Sequence, residues 1–123
     1  MAEPCVRKQD WPTELRLDKE RRVLTATFDD GRSFALPAEL LRVLSPSAEV
    51  QGHSPDQRVT VAGKKSVGIV RLEPVGNYAV RIVFDDGHDT GLYVWAYLRE
   101  LGENRDTRWQ SYLNDLAAKG LAR

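Results

Sequence analysis

The chain has 123 residues, of which 41% are hydrophobic and 29% are charged, so it is long enough for one domain with a buried core. Eighteen Lys and Arg residues balance eighteen Asp and Glu residues, which excludes binding to nucleic acid through excess positive charge. One cysteine, Cys5, excludes a disulfide framework, and no apolar run of about 18 residues predicts a membrane span. These features predict a soluble cytoplasmic protein that does not bind nucleic acid or membranes.

Residues 1–11 are predicted to form a flexible N-terminal segment before Pro12. Apolar and polar residues then alternate on both sides of a polar turn at residues 19–21, which predicts a hairpin. Asp29-Asp30-Gly31-Arg32 predicts a second tight turn leading into a short strand, and Pro37 predicts the first position of a helix that ends at Ser45-Pro46. Residues 45–58 are interpreted as a long functional loop.

The second half of the chain repeats this order of predicted elements. Strands are expected at 59–61, 67–72 and 78–84, followed by the turn Asp85-Asp86-Gly87-His88. A helix is predicted over about 93–101, with Gly102 as its stop. A last helix is predicted over about 107–119, beginning with a capping box of Thr107 and Gln110 and closed by Gly120.

One tetrapeptide occurs twice. Phe28-Asp29-Asp30-Gly31 returns 56 residues later as Phe84-Asp85-Asp86-Gly87, and each copy is followed by a short strand and a helix that carries Leu-Arg. This arrangement is explained either by a repeated strand–turn–strand–helix unit or by the general similarity of Asp-Gly hairpins. The sequence leaves both explanations open.

His88 is the principal candidate for a metal ligand, because three aspartates lie within three residues of it. A site formed by His88, His53 and Asp86 would be rich in oxygen ligands and would suit iron or manganese better than structural zinc. The alternative is a solvated turn histidine, which residue types alone favour because a metal needs three or four convergent ligands. No cofactor is therefore expected, with zinc or iron as the alternative.

Catalytic motifs are weak throughout the sequence. No nucleophile-elbow motif supports any of the serines, and Gly63-Lys64-Lys65-Ser66 lacks the first glycine and the following helix of a phosphate-binding loop. Tyr93, Trp95 and Tyr97 cannot all lie on one side of a helix, so one or two of them are expected to be partly exposed. We therefore predict a protein-binding surface formed by His88, Tyr93 and Trp95, against the alternative that Trp95 packs on Trp109.

The segments Glu73-Pro74-Val75-Gly76-Asn77-Tyr78-Ala79-Val80 and Phe84-Asp85-Asp86-Gly87-His88-Asp89-Thr90-Gly91-Leu92-Tyr93-Val94-Trp95-Ala96-Tyr97-Leu98 resemble the gamma-butyrobetaine hydroxylase-like N-terminal domain, which also occurs as a short bacterial protein. The resemblance extends from about Pro12 to Gly102. It implies one domain over 12–102, with residues 103–123 as a C-terminal helix packed on it.

In gamma-butyrobetaine hydroxylase, the similar domain holds a structural zinc through three cysteines and a histidine, and it precedes an iron- and 2-oxoglutarate-dependent catalytic domain. The positions that match the cysteines are Ser45, Ser47 and Val50, and His88 matches the histidine. A hydroxyl is a poor zinc ligand and valine is none, so we expect neither the zinc site nor hydroxylase activity. Similar domains appended to iron–sulfur carrier ATPases imply a docking role.

The sequence thus predicts an α+β fold of two layers, with a mostly antiparallel sheet and helices packed on one side. The predicted function is a non-catalytic binding or accessory module for a protein partner. The alternative is a metal-binding protein that uses His88 with His53 and a nearby aspartate.

Overall fold

The computed structural model describes residues 12–46 and 61–123. The described elements are β1 (Pro12–Leu17), β2 (Val23–Phe28), β3 (Ser33–Pro37), α1 (Ala38–Val43), β4 (Ile69–Val75), β5 (Ala79–Phe84), β6 (Leu92–Val94), α2 (Trp95–Glu103) and α3 (Arg105–Ala118). The α+β class is confirmed. The single sheet expected from the sequence is divided into two antiparallel three-stranded sheets, ordered β1-β2-β3 and β4-β5-β6.

The same unit therefore occurs twice, as a three-stranded sheet followed by a helix. We call residues Pro12–Val43 the first repeat and residues Ile69–Glu103 the second repeat. Their Asp-Gly turns have the same hydrogen bonds: Phe28 N donates to Arg32 O at 2.8 Å, and Phe84 N donates to His88 O at 2.9 Å. The structure thus favours the repeated unit over a chance similarity of two hairpins.

Alternation of side chains explains the central strand of each repeat. Leu24, Ala26 and Phe28 of β2 are buried and alternate with half-buried residues, as expected for a strand with one face on the core. Val80, Ile82 and Phe84 do the same in β5. Residues from both repeats form one apolar cluster: Leu24, Phe28, Leu36, Leu40, Leu41, Ile69, Ile82, Phe84, Tyr93, Leu98 and Leu101.

The second helix begins later than the sequence predicted. Tyr93 lies in β6, opposite Val80, and α2 begins at Trp95. Gly102 lies inside α2 and does not end it. A Cβ atom at position 102 would lie 2.4 Å from Cγ of Phe34, so close packing between the repeats requires this glycine.

The predicted capping box of the last helix is wrong. Helix α3 begins at Arg105 after Asn104, so Thr107 lies within the helix, and no side chain caps its N-terminus. The Arg105 guanidinium instead donates to Ala35 O at 2.9 Å, a tertiary contact 70 residues away that the local sequence does not reveal. The predicted end of this helix is correct, because Gly120 follows it with a φ of +65°.

Helix α3 packs on the first repeat as well as on α2. Tyr112 and Leu116 are buried against Val43, and Trp109 packs beside Tyr112 with ring centroids 5.3 Å apart. Arg108 and Glu100 join α3 to α2 by an ion pair. Among the described residues, no helix has the length and apolar character needed to cross a membrane.

Candidate functional site

The turn after β5 fixes the backbone around His88. Gly87 has a φ of +93°, a conformation that glycine adopts without steric cost, and its N–H donates to Phe84 O at 3.2 Å. One carboxylate oxygen of Asp86 accepts from the backbone N–H of His88 at 3.1 Å. The turn therefore presents His88 by a local hydrogen-bond pattern that the Asp-Gly sequence predicted.

The side chain of His88 is buried, unlike that of a solvated turn histidine. It is 6% exposed, and its Nε2 lies 2.9 Å from Oγ of Ser45, which is 0% exposed. The His88 ring also packs near Phe84, with centroids 6.0 Å apart. The end of α1 and the second repeat's turn are thereby joined by a buried polar contact 43 residues apart in sequence.

Asp86 connects the same turn to two cations. Its Oδ2 accepts from Arg42 Nε at 2.8 Å and lies 2.6 Å from Lys64 Nζ. Burial by itself raises the pKa of Asp86, but the hydrogen bonds from Lys64, the His88 backbone and Arg42 outweigh it and lower the pKa to about 2. Both carboxylate oxygens are thus engaged with protein donors.

These contacts bear on the proposed His88, His53 and Asp86 metal site. His53 lies outside the described residues, and Asp86 would have to break its ion pairs to become a ligand. Within residues 12–46 and 61–123, no group of three or more His, Cys, Asp or Glu side chains could hold a metal. His88 and Asp86 are neighbours in the structure, but the metal site itself stays a prediction.

The zinc site implied by the family resemblance can be tested at two of its positions. Ser45 and His88 match a cysteine and the histidine, and the structure brings them together at 2.9 Å. Ser47 and Val50 lie outside the described residues. A serine hydroxyl that is hydrogen-bonded to the histidine is not a thiolate ligand, so the described part of the site does not fit zinc.

The Ser45–His88 contact also resembles part of a nucleophile–base pair, because a histidine nitrogen lies within hydrogen-bond distance of a hydroxyl. Ser45 is fully buried, however, so a substrate has no access to its hydroxyl in this structure. The contact is a structural link between α1 and the His88 turn.

Two of the three aromatic residues Tyr93, Trp95 and Tyr97 are partly exposed, as expected, and Tyr93 is the buried one. Its side chain is completely buried and its hydroxyl donates to Leu41 O at 2.5 Å; burial raises the pKa of this hydroxyl. Tyr97 is half-buried and donates to Leu44 O. Trp95 is also half-buried and its Nε1–H donates to Asn77 O at 2.8 Å, while Trp109 packs on Tyr112. Of the three predicted partner-binding residues, Trp95 alone keeps substantial exposure.

An apolar surface that sequence reasoning missed lies beside Trp95. Tyr78 is 52% exposed, Leu92 is 41% exposed and Val94 is 42% exposed. Leu92 and Val94 flank buried Tyr93 in β6, so both lie on the face of the sheet opposite the core. Tyr78 lies in the turn before β5, and its carbonyl accepts from the Trp95 N–H at 3.3 Å. We call Tyr78, Leu92 and Val94 the outer-face patch. The alternation of Leu92-Tyr93-Val94 would have revealed it, had this segment been read as a strand.

Charged side chains adjoin the outer-face patch. Leu92 is opposite Arg81 in the sheet register, and Arg81 forms an ion pair with Glu73. Hydrogen bonds from Arg81 and Arg71 lower the pKa of Glu73.

Two open cavities lie on the surface of the sheets. One of about 430 Å³ lies next to Leu92 and is lined also by Glu73, Arg81 and Asp89. The other, of about 540 Å³, lies between β1 and β4.

Comparison with known proteins identifies a family match over most of the chain. The model of the family described as gamma-butyrobetaine hydroxylase-like, N-terminal, matches residues 15–99. Among curated protein sequences, none matches this chain significantly.

Solved structures resemble the protein over most of its length. One solution NMR structure has 48% sequence identity and a TM-score of 0.79, covering 92% of this chain and 89% of that chain. Another has 47% identity and a TM-score of 0.81, covering 100% and 90%. A crystal structure of a protein of unknown function of the DUF971 family from Acidithiobacillus ferrooxidans has 37% identity and a TM-score of 0.65, covering 79% and 98%.

Proposed function

The chain belongs to the gamma-butyrobetaine hydroxylase-like N-terminal family, and from this premise we propose that it is a non-catalytic accessory module that binds a protein partner through the outer-face patch. The similar crystal structure of the DUF971 family is that of a protein of unknown function, so the family assignment alone supplies no activity. The proposal depends on the surface of the second repeat.

The outer-face patch is the observation that supports partner binding. Three of the five large hydrophobic side chains exposed in the described residues belong to it. Aromatic and aliphatic groups beside a polar rim are typical of the centre of a protein interface, and here Arg81 and Glu73 supply that rim. Trp95 adjoins the patch at the start of α2. One of the three residues of the binding surface predicted from the sequence therefore lies next to the surface proposed here.

The described residues give less support to catalysis. The buried Ser45–His88 contact is closed to substrate, and Asp86 is held ionised by Arg42 and Lys64. The two open cavities beside Leu92 and between β1 and β4 are lined by no histidine, cysteine or serine. The exposed apolar surface therefore supports binding of a macromolecule, whereas the arrangement of these polar side chains gives less support to acid–base or nucleophilic catalysis.

A pair of matched variants tests the proposal. We would capture partners from source cells with the wild-type protein, with Leu92→Glu, which places a charge in the outer-face patch, and with Leu121→Glu. Leu121 is as exposed as Leu92 at 41%, but it lies outside the patch. We expect Leu92→Glu to lose at least 90% of the captured partner and Leu121→Glu to retain it, with both variants keeping the wild-type unfolding midpoint.

Retention of the partner by folded Leu92→Glu would contradict docking at the patch.

Elemental analysis of the same untagged proteins tests the metal alternative, with His88→Ala as its control. Because Ser45 replaces a thiolate and Asp86 is paired, we expect less than one tenth of an equivalent of zinc or iron. A stoichiometric metal that His88→Ala abolishes would favour the metal-binding protein instead.

A further inference from the structure

The open cavity between β1 and β4 separates the edges of the two sheets. Within the described residues, β1 pairs only with β2 and β4 pairs only with β5, so each strand has one edge without a neighbouring strand. Aliphatic side chains from both strands line the cavity: Leu15, Leu17, Val70 and Leu72. We call this cavity the inter-sheet groove. Its volume is about 540 Å³ and it is open to solvent.

Arg21 joins the two sheets at the groove. Its carbonyl accepts from Ile69 N–H at 2.8 Å, and its Nη1 donates to Val70 O at 2.7 Å. Among the described residues, Arg21 is the only one other than glycine with a positive φ, +61°. This conformation costs an L-residue about 1 kcal/mol, so the Arg21 contacts offset local backbone strain. Arg21 occupies the edge of β4 at a position where a neighbouring strand would otherwise bind.

The charges around the groove favour an acidic occupant. Lys19, Arg21 and Arg71 line it, together with the single carboxylate of Asp18. That carboxylate already accepts two backbone N–H groups, from Arg22 at 2.6 Å and Val23 at 3.0 Å, which lower its pKa. Neither Lys19 nor Arg21 has an ion-pair partner among the residues that the structure describes. Arg71 is paired with Glu73, so the positive charge of the rim comes from Lys19 and Arg21, which exceed the one engaged carboxylate.

We propose that the inter-sheet groove binds an extended peptide in which aliphatic and acidic residues alternate. A strand laid along β1 would pair with its free edge, because Arg21 already occupies the Ile69 N–H and the Val70 carbonyl on the edge of β4. The apolar side chains of the peptide would contact the leucines and Val70. Its carboxylates would face Lys19 and Arg21 on the rim. This surface is separate from the outer-face patch, and the proposal does not depend on that patch being an interface.

The probe for this proposal is the blocked hexapeptide Glu-Val-Glu-Val-Glu-Val, titrated into ¹⁵N-labelled full-length protein. A hexapeptide of Lys-Val repeats is the charge-reversed probe. We expect saturable amide shifts at residues 15–19 and 69–72 with the acidic peptide, and binding at least about fivefold weaker with the basic one. Lys19→Glu is expected to reduce or reverse this preference, while Lys65→Glu, an exposed lysine outside the groove, leaves it unchanged.

The two proposals fail in different experiments. Leu92→Glu is expected to bind the acidic peptide as the wild type does, because Leu92 does not line the groove. No saturable shift at the groove, shifts that map to the outer-face patch, or equal binding of the two peptides would overturn the peptide proposal. None of these results would alter the capture experiment on the patch.

Discussion

In the first repeat, Asp30 follows Phe28 by two residues and is held by Arg99 from the second repeat, at 2.7 and 3.2 Å. In the second repeat, Asp86 takes the equivalent position and is held by Arg42 from the first repeat, at 2.8 Å. Each helix therefore supplies an arginine to the turn of the other repeat. We call these contacts the Asp30–Arg99 pair and the Asp86–Arg42 pair.

The surroundings of the two pairs differ. Arg99 also donates to Glu103 at 2.7 Å and lies over the rings of Phe28 and Phe34, at 5.2 and 5.5 Å. Arg42 shares its aspartate with Lys64, and its buried Nη1 has no hydrogen-bond partner among the described residues. The same turn thus has a fully engaged arginine in one repeat and a less completely bonded one in the other.

This difference shows how two equivalent positions can diverge in role. The Asp30–Arg99 pair seals the contact between α2 and the first repeat. The Asp86–Arg42 pair lies beside His88, Ser45 and a lysine that has no counterpart in the first repeat's contact. Of the two equivalent turns, the second therefore has the larger set of polar and charged side chains around its aspartate–arginine pair.

The largest effect is expected from removing the better-bonded arginine. Arg99→Met keeps the length of the side chain but removes the hydrogen bonds of the buried guanidinium to Asp30 and Glu103, so the free energy of unfolding should fall by about 2 kcal/mol. Arg42→Met should lower the free energy of unfolding by about 1 kcal/mol, because Lys64 still neutralises Asp86 and the substitution also removes the buried Nη1 atom that has no hydrogen bond. Urea unfolding of both variants at pH 7 measures the comparison. Equal losses would show that the two pairs are energetically equivalent.

The next effect is the pH dependence of stability, which tests the aspartate of each turn. The pKa of Asp86 lies at about 2 in the folded protein and near 3.8 when unperturbed. Its ionised form therefore stabilises the fold above about pH 4, and this contribution, about 1 kcal/mol after allowance for screening by solvent, is lost as the pH falls towards 2. We expect Asp86→Asn to be about 1 kcal/mol less stable than the wild type at pH 7 and to converge with it near pH 2.

Asp30→Asn makes the same measurement for the first turn. The hydrogen bond from Arg99 lowers the pKa of Asp30, so its stabilising effect is also lost as the pH falls. Chemical unfolding at intervals between pH 2 and pH 7 would follow both variants. A constant difference between Asp86→Asn and the wild type over this range would contradict the assignment of the lowered pKa to Asp86.

A smaller effect is expected where the helices end. Ser45 follows α1 and contacts the second turn, whereas Gly102 near the end of α2 packs against Phe34. Replacing glycine by alanine normally stabilises a helix by about 1 kcal/mol. Here the added Cβ would meet the Phe34 ring, so we expect Gly102→Ala to destabilise the protein by about 1 kcal/mol net.

The control for that variant is Gly102→Ala combined with Phe34→Ala. Phe34→Ala removes Cγ and Cδ1, which lie 2.4 and 2.8 Å from the added Cβ, so alanine at position 102 should be less destabilising in this background. Thermal unfolding of the four proteins of this cycle gives the interaction between the two positions. Additive effects would show that Phe34 does not limit the size of residue 102.

The sequence by itself determined most of the local elements of this protein. Asp-Gly turns and alternating strands depend on interactions between near neighbours, which side-chain type controls directly. Pro37, predicted as the first helical residue, is instead the last residue of β3, and α1 begins one residue later. The repeated tetrapeptide even indicated the internal repeat. The metal-binding role predicted for His88 and the partner-binding role predicted for His88 and Trp95 stay predictions.

Only the tertiary structure decided which of these residues are buried and what they contact. The Asp86–Arg42 and Asp30–Arg99 contacts join residues 44 and 69 positions apart, and no local pattern specifies such pairings. The division into two sheets, the outer-face patch and the inter-sheet groove likewise depend on how the repeats pack. Local propensity sets the elements, whereas the burial of apolar surface shared between distant segments sets their arrangement.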